Sequence, residues 1–123
     1  MNEDDTVVAV SLIERFNEAF TVRDIEAVMT LMTPDCVFEG TQPPDGHRYT
    51  GQDGVRAAFQ AVFDSARGGS FSTEELFCAG DRVVARWRFD WVDHQGRPGH
   101  VRGVDLFRIR GGLVAEKLSY VKG

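Results

Sequence analysis

Among the residues that could do chemistry, Asp105 stands out, because it lies inside Val104-Asp105-Leu106-Phe107, a strand-like run in which Asp is disfavoured. Alternation sets it on one face with Gly103, Phe107 and Ile109. A carboxylate on such a face needs a partner or must hold a proton, since burial penalises the charged form. Two readings follow. Either a neighbouring side chain satisfies a structural acid, or the group works as a neutral donor to an oxyanion or as a general acid/base.

The hairpin at Gly111-Gly112 decides its company. With a two-residue turn Arg110 pairs with Leu113, Leu118 falls opposite position 105, and Glu116 and Tyr120 share the Asp105 face. Two carboxylates that close divide into an acid and a base. With a three-residue loop the register slips by one, and Lys117 meets Asp105 as an ion pair with Ser119 nearby. Gly-Gly suits positive φ at both central positions and favours the two-residue turn.

An apolar wall is available. Val83, Ala85, Trp87, Phe89 and Trp91 alternate with Arg86, Arg88 and Asp90, and Phe16, Phe20, Phe38 and Phe59 are expected on the same side. These rings either fill a core or, crowded at one open end, leave a cavity, with Phe107 and Leu118 completing its lining. His47, in Gly46-His47-Arg48-Tyr49, is a lid residue over the mouth or a solvated loop histidine; His94 and His100 flank a turn. No phosphate loop, nucleophile elbow or Cys/His pair occurs, and Cys36 and Cys78 have no metal or redox spacing, so reduced, packed thiols are expected.

The elements that must position these groups are legible from periodicity. Val8, Leu12, Ile13, Phe16, Ala19 and Phe20 form a helical stripe over Val7 to Phe20. After Thr21-Val22-Arg23, Asp24 caps a second helix carrying Ile25, Val28, Met29 and Met32, which Pro34 closes. Cys36-Val37-Phe38 reads as a short strand and Gly40 to Gly46 as loop. Thr50-Gly51-Gln52-Asp53 has capping-box form ahead of a helix with Val55, Ala58, Phe59, Val62, Phe63 and Ala66 on one stripe, ended by Gly68-Gly69. Four extended runs follow, Phe71–Ala79, Arg82–Val92, His100–Arg110 and Leu113–Val121, tightly joined as an antiparallel meander.

Helices first and strands afterwards is the α+β pattern, and 123 residues make one domain over 1–123. A net charge of −5 argues against nucleic-acid or membrane partners. The acidic start Met1-Asn2-Glu3-Asp4-Asp5 is unlike a signal peptide, which points to a cytoplasmic protein.

On Arg23-Asp24-Ile25-Glu26-Ala27, Pro34-Asp35-Cys36-Val37-Phe38-Glu39, Tyr49-Thr50-Gly51 and Arg102-Gly103-Val104-Asp105-Leu106-Phe107-Arg108-Ile109 through Gly111-Gly112 to Leu113-Val114-Ala115-Glu116, the chain resembles the NTF2-like superfamily, in particular its SnoaL-like and ketosteroid-isomerase-like members. The resemblance implies a cone of three helices on a strongly curved, mostly antiparallel sheet, a pocket between them, and a homodimer formed through the outer sheet face, where Val84, Val104 and Leu106 lie. It matches Asp105 to the isomerases' oxyanion-hole Asp. It also sets Phe16 where they carry a Tyr and Gly40 where they carry the proton-shuttling Asp, which disfavours steroid isomerisation. Arg88-Phe89-Asp90 echoes the Arg-x-Asp of limonene-epoxide-hydrolase-like members, but Ser119 stands where their third acid belongs. The function expected is acid/base chemistry of an isomerase or cyclase kind on a small hydrophobic molecule, with Asp105, Glu116 and Tyr120 as the polar groups and neither metal nor organic cofactor. The alternative is a binding or dimerisation domain that turns nothing over.

Overall fold

The computed structural model describes residues 3–123, which leaves Met1 and Asn2 of the acidic N-terminal stretch outside the described residues. Helix α1 (Glu3–Thr21) buries Ala9, Leu12, Ile13, Phe16, Ala19 and Phe20 along one stripe. It starts at Glu3 rather than Val7, and Val8, expected on the stripe, is exposed while Ala9 takes its place. The turn after α1 holds Arg23 at φ 61°, a left-handed conformation costly for a residue with a side chain. What holds it there is its guanidinium, which donates at 2.8 Å to the carbonyls of both Ala66 and Gly69, at the end of α3 (Gly51–Ser65). Asp24 then caps α2 (Ile25–Thr30), accepting from the Ala27 amide at 3.1 Å.

Helix α2 ends at Thr30, before the expected Met32, because Met32–Glu39 is already strand β1. Pro34 sits within β1 where the pairing is irregular between Met32 and Val37, a place where a missing N–H is tolerated. The loop reading of the segment before α3 also missed β2 (Arg48–Thr50), which pairs with β1. Thr50 stays extended and its side chain makes no cap bond, so the expected capping box does not form. The Gln52 amide instead donates to the carbonyls of Met29, Met32 and Thr33 at 3.0 to 3.3 Å, tying the start of α3 to the α2–β1 junction.

Strands β3 (Ser70–Ala79), β4 (Arg82–Val92), β5 (Pro98–Arg110) and β6 (Leu113–Val121) complete a six-stranded sheet in the order β2-β1-β6-β5-β4-β3. Every pair is antiparallel except β1 with β6. The β4–β5 turn is held by Asp93, whose carboxylate accepts from the amides of Gln95 and Arg97 and from the Arg97 side chain. The Arg97 amide is the main reason that this carboxyl lies below its usual range. Irregular steps between Thr73 and Glu75 and between Arg108 and Ile109 bend the sheet. Rings fill the hollow side: Phe16, Phe59 and Phe107 are fully buried and meet edge to face, Phe16 at 6.2 Å from Phe59 and 5.4 Å from Phe107. The result is the α+β cone expected from the sequence, three helices against a curled sheet.

Arg23 is the clasp between the two ends of the helical layer. Arg23→Ala loses two charge-assisted hydrogen bonds and keeps the strained turn, so it should destabilise by about 2 kcal/mol or more. Arg23→Gly, free of the strain, should lose less. Urea unfolding measures both, and an Arg23→Ala midpoint equal to the parent's would contradict the clasp.

Candidate functional site

Strand β6 carries a bulge. The Gly111-Gly112 turn does have two residues, since Arg110 pairs with Leu113, and Ile109 pairs with Val114. Arg108 then pairs with Glu116, so Ala115 is an extra residue and Val114 and Ala115 are both buried. That one residue reverses the parity of everything after it. Asp105 falls opposite Ser119 rather than Leu118, and Lys117 and Ser119 turn inward. The two-residue turn matches expectation and the bulge after it does not.

Asp105 and Lys117 form an ion pair at 3.4 Å with side chains 11% and 7% exposed. Asp105 Oδ1 accepts from Ser119 Oγ at 2.7 Å and from Trp87 Nε1 at 3.1 Å, while Lys117 Nζ donates to Ser119 Oγ at 3.0 Å. The ammonium also lies 4.9, 5.0 and 5.7 Å from the ring centres of Phe20, Phe38 and Phe59. Oδ1 of Asp105 therefore accepts two hydrogen bonds and Oδ2 faces the ammonium as an ion pair, which is an arrangement for a carboxylate and not for the neutral donor considered from the sequence. A carboxylate, a hydroxyl and an ammonium in series make a relay for one proton, set among rings that attract the cation.

Above this cluster lies a cavity of about 390 Å³. Asp105, Lys117, Ser119 and Trp87 form its floor, and Phe20, Phe38, Tyr49 and Phe71 its aromatic walls. The space exists because small residues stand where large ones would fill it: Ala85 opposite Asp105, and Ala58, Ala61 and Ser65 along α3. A hollow between α1 and β3 shares Asn17, Thr21, Phe71, Ser72 and Thr73 with the cavity. Asn17 Nδ2 donates to Thr73 Oγ1 at 3.4 Å across it.

Of the residues expected to line the cavity, Phe20, Phe38, Trp87 and Asp105 do. Phe16, Phe59 and Phe107 are spent on the solid apex of the cone behind it. Phe89 and Trp91 share the inward face but continue past the cavity along the β4–β5 hairpin, stacked at 5.9 Å, with Trp91 38% exposed. His47 is exposed and does not line the cavity. Glu116 and Tyr120, expected as catalytic groups, and Leu118, expected in the lining, face outward because of the bulge. Glu116 lies 3.7 Å from Arg82 and 3.6 Å from Arg108, and Tyr120 is 54% exposed. Arg88 and Asp90 pair with each other at 2.9 Å away from the cavity, so the Arg-x-Asp echo has no place in it.

Gly40 does line the cavity, and the side chain of Gln42 folds over it: a Cβ on Gly40 would lie 2.6 Å from Gln42 Oε1. An amide thus occupies the space beside the position where the resemblance places a carboxylate. Lys117 and Ser119 are the residues the favoured register passed over. Lys117 alone carries a signal, and it is compositional: twelve arginines and only two lysines occur in the chain. Among the described residues no three His, Cys, Asp or Glu gather as metal ligands. Burial pushes the Cys36 thiol up, which leaves it unreactive.

A family model described as SnoaL-like domain matches residues 13–117. Among solved structures, an NTF2-like protein of unknown function from Mesorhizobium loti is 35% identical, with 100% of this chain and 98% of that chain covered and a TM-score of 0.83. A putative SnoaL-like polyketide cyclase from Jannaschia is 17% identical, covering 99% of this chain and 90% of that one at a TM-score of 0.84. A putative ketosteroid isomerase from Kribbella flavida is 18% identical, covering 97% and 81% at 0.81. No curated protein sequence matches. Sequence and topology agree, and the chain belongs to the SnoaL-like domain family of the NTF2-like superfamily.

Proposed function

We propose that the chain is an enzyme of isomerase or cyclase kind, moving a proton on a small hydrophobic compound held in the cavity, with no organic cofactor. The observation that carries this is the Asp105–Lys117 pair on the floor of an otherwise apolar void. A carbonyl oxygen resting near Lys117 Nζ gains a cation where negative charge develops. Asp105 accepts the proton released from the adjacent carbon and returns it elsewhere on the same molecule. The putative polyketide cyclase and putative ketosteroid isomerase of the same fold are in keeping with that class of chemistry. The unpaired thiols of Cys36 and Cys78 suit a reducing cytoplasmic setting.

A second reading has its own observation: two hydrogen-bond donors and an ammonium already occupy Asp105, the arrangement of a binding site that turns nothing over. Hydrogen–deuterium exchange at the carbon beside the carbonyl of 2-tetralone, followed by NMR, separates the two. Enzyme chemistry predicts exchange above buffer that falls about a hundredfold or more in Asp105→Asn. Binding without enhanced exchange would leave the binder.

The second expected partner is another copy of the chain. Among the described residues all three helices pack on the inner side, so the outer face is bare sheet. Phe77, Val84, Leu106 and Leu118 lie in register across four strands there, with Val104 and Tyr120 in the next row. Arg86–Glu75 and Arg102–Glu74 pairs flank them, so the patch mixes both charges around an apolar centre and can meet its own copy without net repulsion. Sedimentation at micromolar concentration should show a dimer that Leu106→Glu dissociates; a monomeric parent chain would remove the pairing.

A further inference from the structure

The cavity floor holds a primary amine in a setting that suits covalent chemistry. Only Lys117 and Lys122 carry side-chain amines; Lys122 is exposed, and Lys117 is buried at the cavity. An arginine would also pair with a carboxylate, and twelve of the fourteen basic side chains in this chain are arginine, so the lysine needs a reason that charge alone does not give. Its surroundings supply one. Lys117 Nζ has a 3.0 Å path to Ser119 Oγ and from there 2.7 Å to Asp105 Oδ1, besides the direct 3.4 Å approach to Oδ2. A proton can leave the nitrogen without crossing solvent.

Resting on the acid/base reading of the same cavity, we infer that Lys117 forms an imine with an aldehyde or ketone, which makes the ligand class of this site a small hydrophobic carbonyl compound. The ammonium gives one proton to Asp105. The free amine adds to the carbonyl carbon, forming the C–N bond, and the nitrogen's surplus proton passes to the former carbonyl oxygen. Asp105 then returns its proton to that oxygen as the C–O bond breaks and water leaves. In sum, one carbonyl compound and the lysine ammonium give one protonated imine on the lysine nitrogen and one water, with no oxidant or reductant and no change in net charge. The iminium keeps its positive charge where the ammonium had it, beside Asp105 and between Phe20 and Phe38, whose ring centres are 4.9 and 5.0 Å from Nζ. Three of the partners that hold the resting cation therefore also hold the product.

The test uses the intact protein, 2-naphthaldehyde and sodium cyanoborohydride, which reduces an imine to a stable amine. Peptide mass mapping should find one naphthylmethyl group on Lys117 in preference to the exposed Lys122, with 2-naphthol, which has no carbonyl, suppressing the label. Lys117→Arg keeps the charge and should lose that label to background. If this variant fails to fold, the ratio of Lys117 to Lys122 in the parent protein decides alone. A label that follows exposure, falling on Lys122 and the amino terminus, overturns the imine. Should 2-naphthol and 2-naphthaldehyde both bind by fluorescence titration with nothing trapped on Lys117, the imine falls and the acid/base reading stands. Should neither bind, both fall.

Discussion

Two opposite charges sit at the bottom of an apolar cone, and that is the constraint the rest of the structure answers to. Removing a carboxylate and an ammonium from water costs several kcal/mol per ion, and their mutual attraction repays it only with good geometry and further hydrogen bonds. Asp105 has those bonds from Ser119 and Trp87, and Lys117 has Ser119 and three ring faces. Replacing either charge alone strands the other. A pair so held is a costly feature for a small domain of marginal stability, and its position beside open volume rather than in solid packing is what connects it to function.

The scaffold serves this pair through departures from regularity. The bulge at Ala115 turns Lys117 and Ser119 inward, and the one at Glu74 bends β3. Glycine supplies the other device. Gly103 faces Trp87 across β4 and β5, and a Cβ there would collide with the indole. The ring lies down over the glycine, and its Nε1 reaches Asp105 at 3.1 Å. At the other end of the helical layer, Arg23 and Gln52 satisfy backbone carbonyls where elements stop, which fixes α1 and α3 over the sheet. The alanines of α3 then leave the void rather than fill it.

Much of this was legible in the sequence. The stripes of α1 and α3, the strand alternation and the turns at glycine gave the α+β order, and the position of Asp105 on the inner face followed from alternation. What failed was parity. A period-two reading carries one residue's error through a whole strand, and nothing local in Leu113-Val114-Ala115-Glu116 beyond three successive apolar residues marks the bulge. Unbroken alternation therefore expects Glu116 and Tyr120 inside, and only the slipped register brings in Lys117 and Ser119. The aromatic residues depart from expectation for a different reason. Alternation tells which face a ring occupies but not how far along the cone it lies, so Phe16, Phe59 and Phe107 at the apex and Phe89 and Trp91 beyond the rim were grouped with the cavity. Strand β2 escaped because three residues, Arg48–Thr50, are too few to show a period.

A double-mutant cycle on Asp105→Asn and Lys117→Met, read as unfolding free energy in urea, tests most directly whether the two charges depend on each other. A mutually dependent pair predicts a coupling energy on the order of 2 kcal/mol, with the double variant more stable than the sum of the single losses. Losses that add to within a few tenths of a kcal/mol would mean that the two side chains are not a unit and would contradict the account.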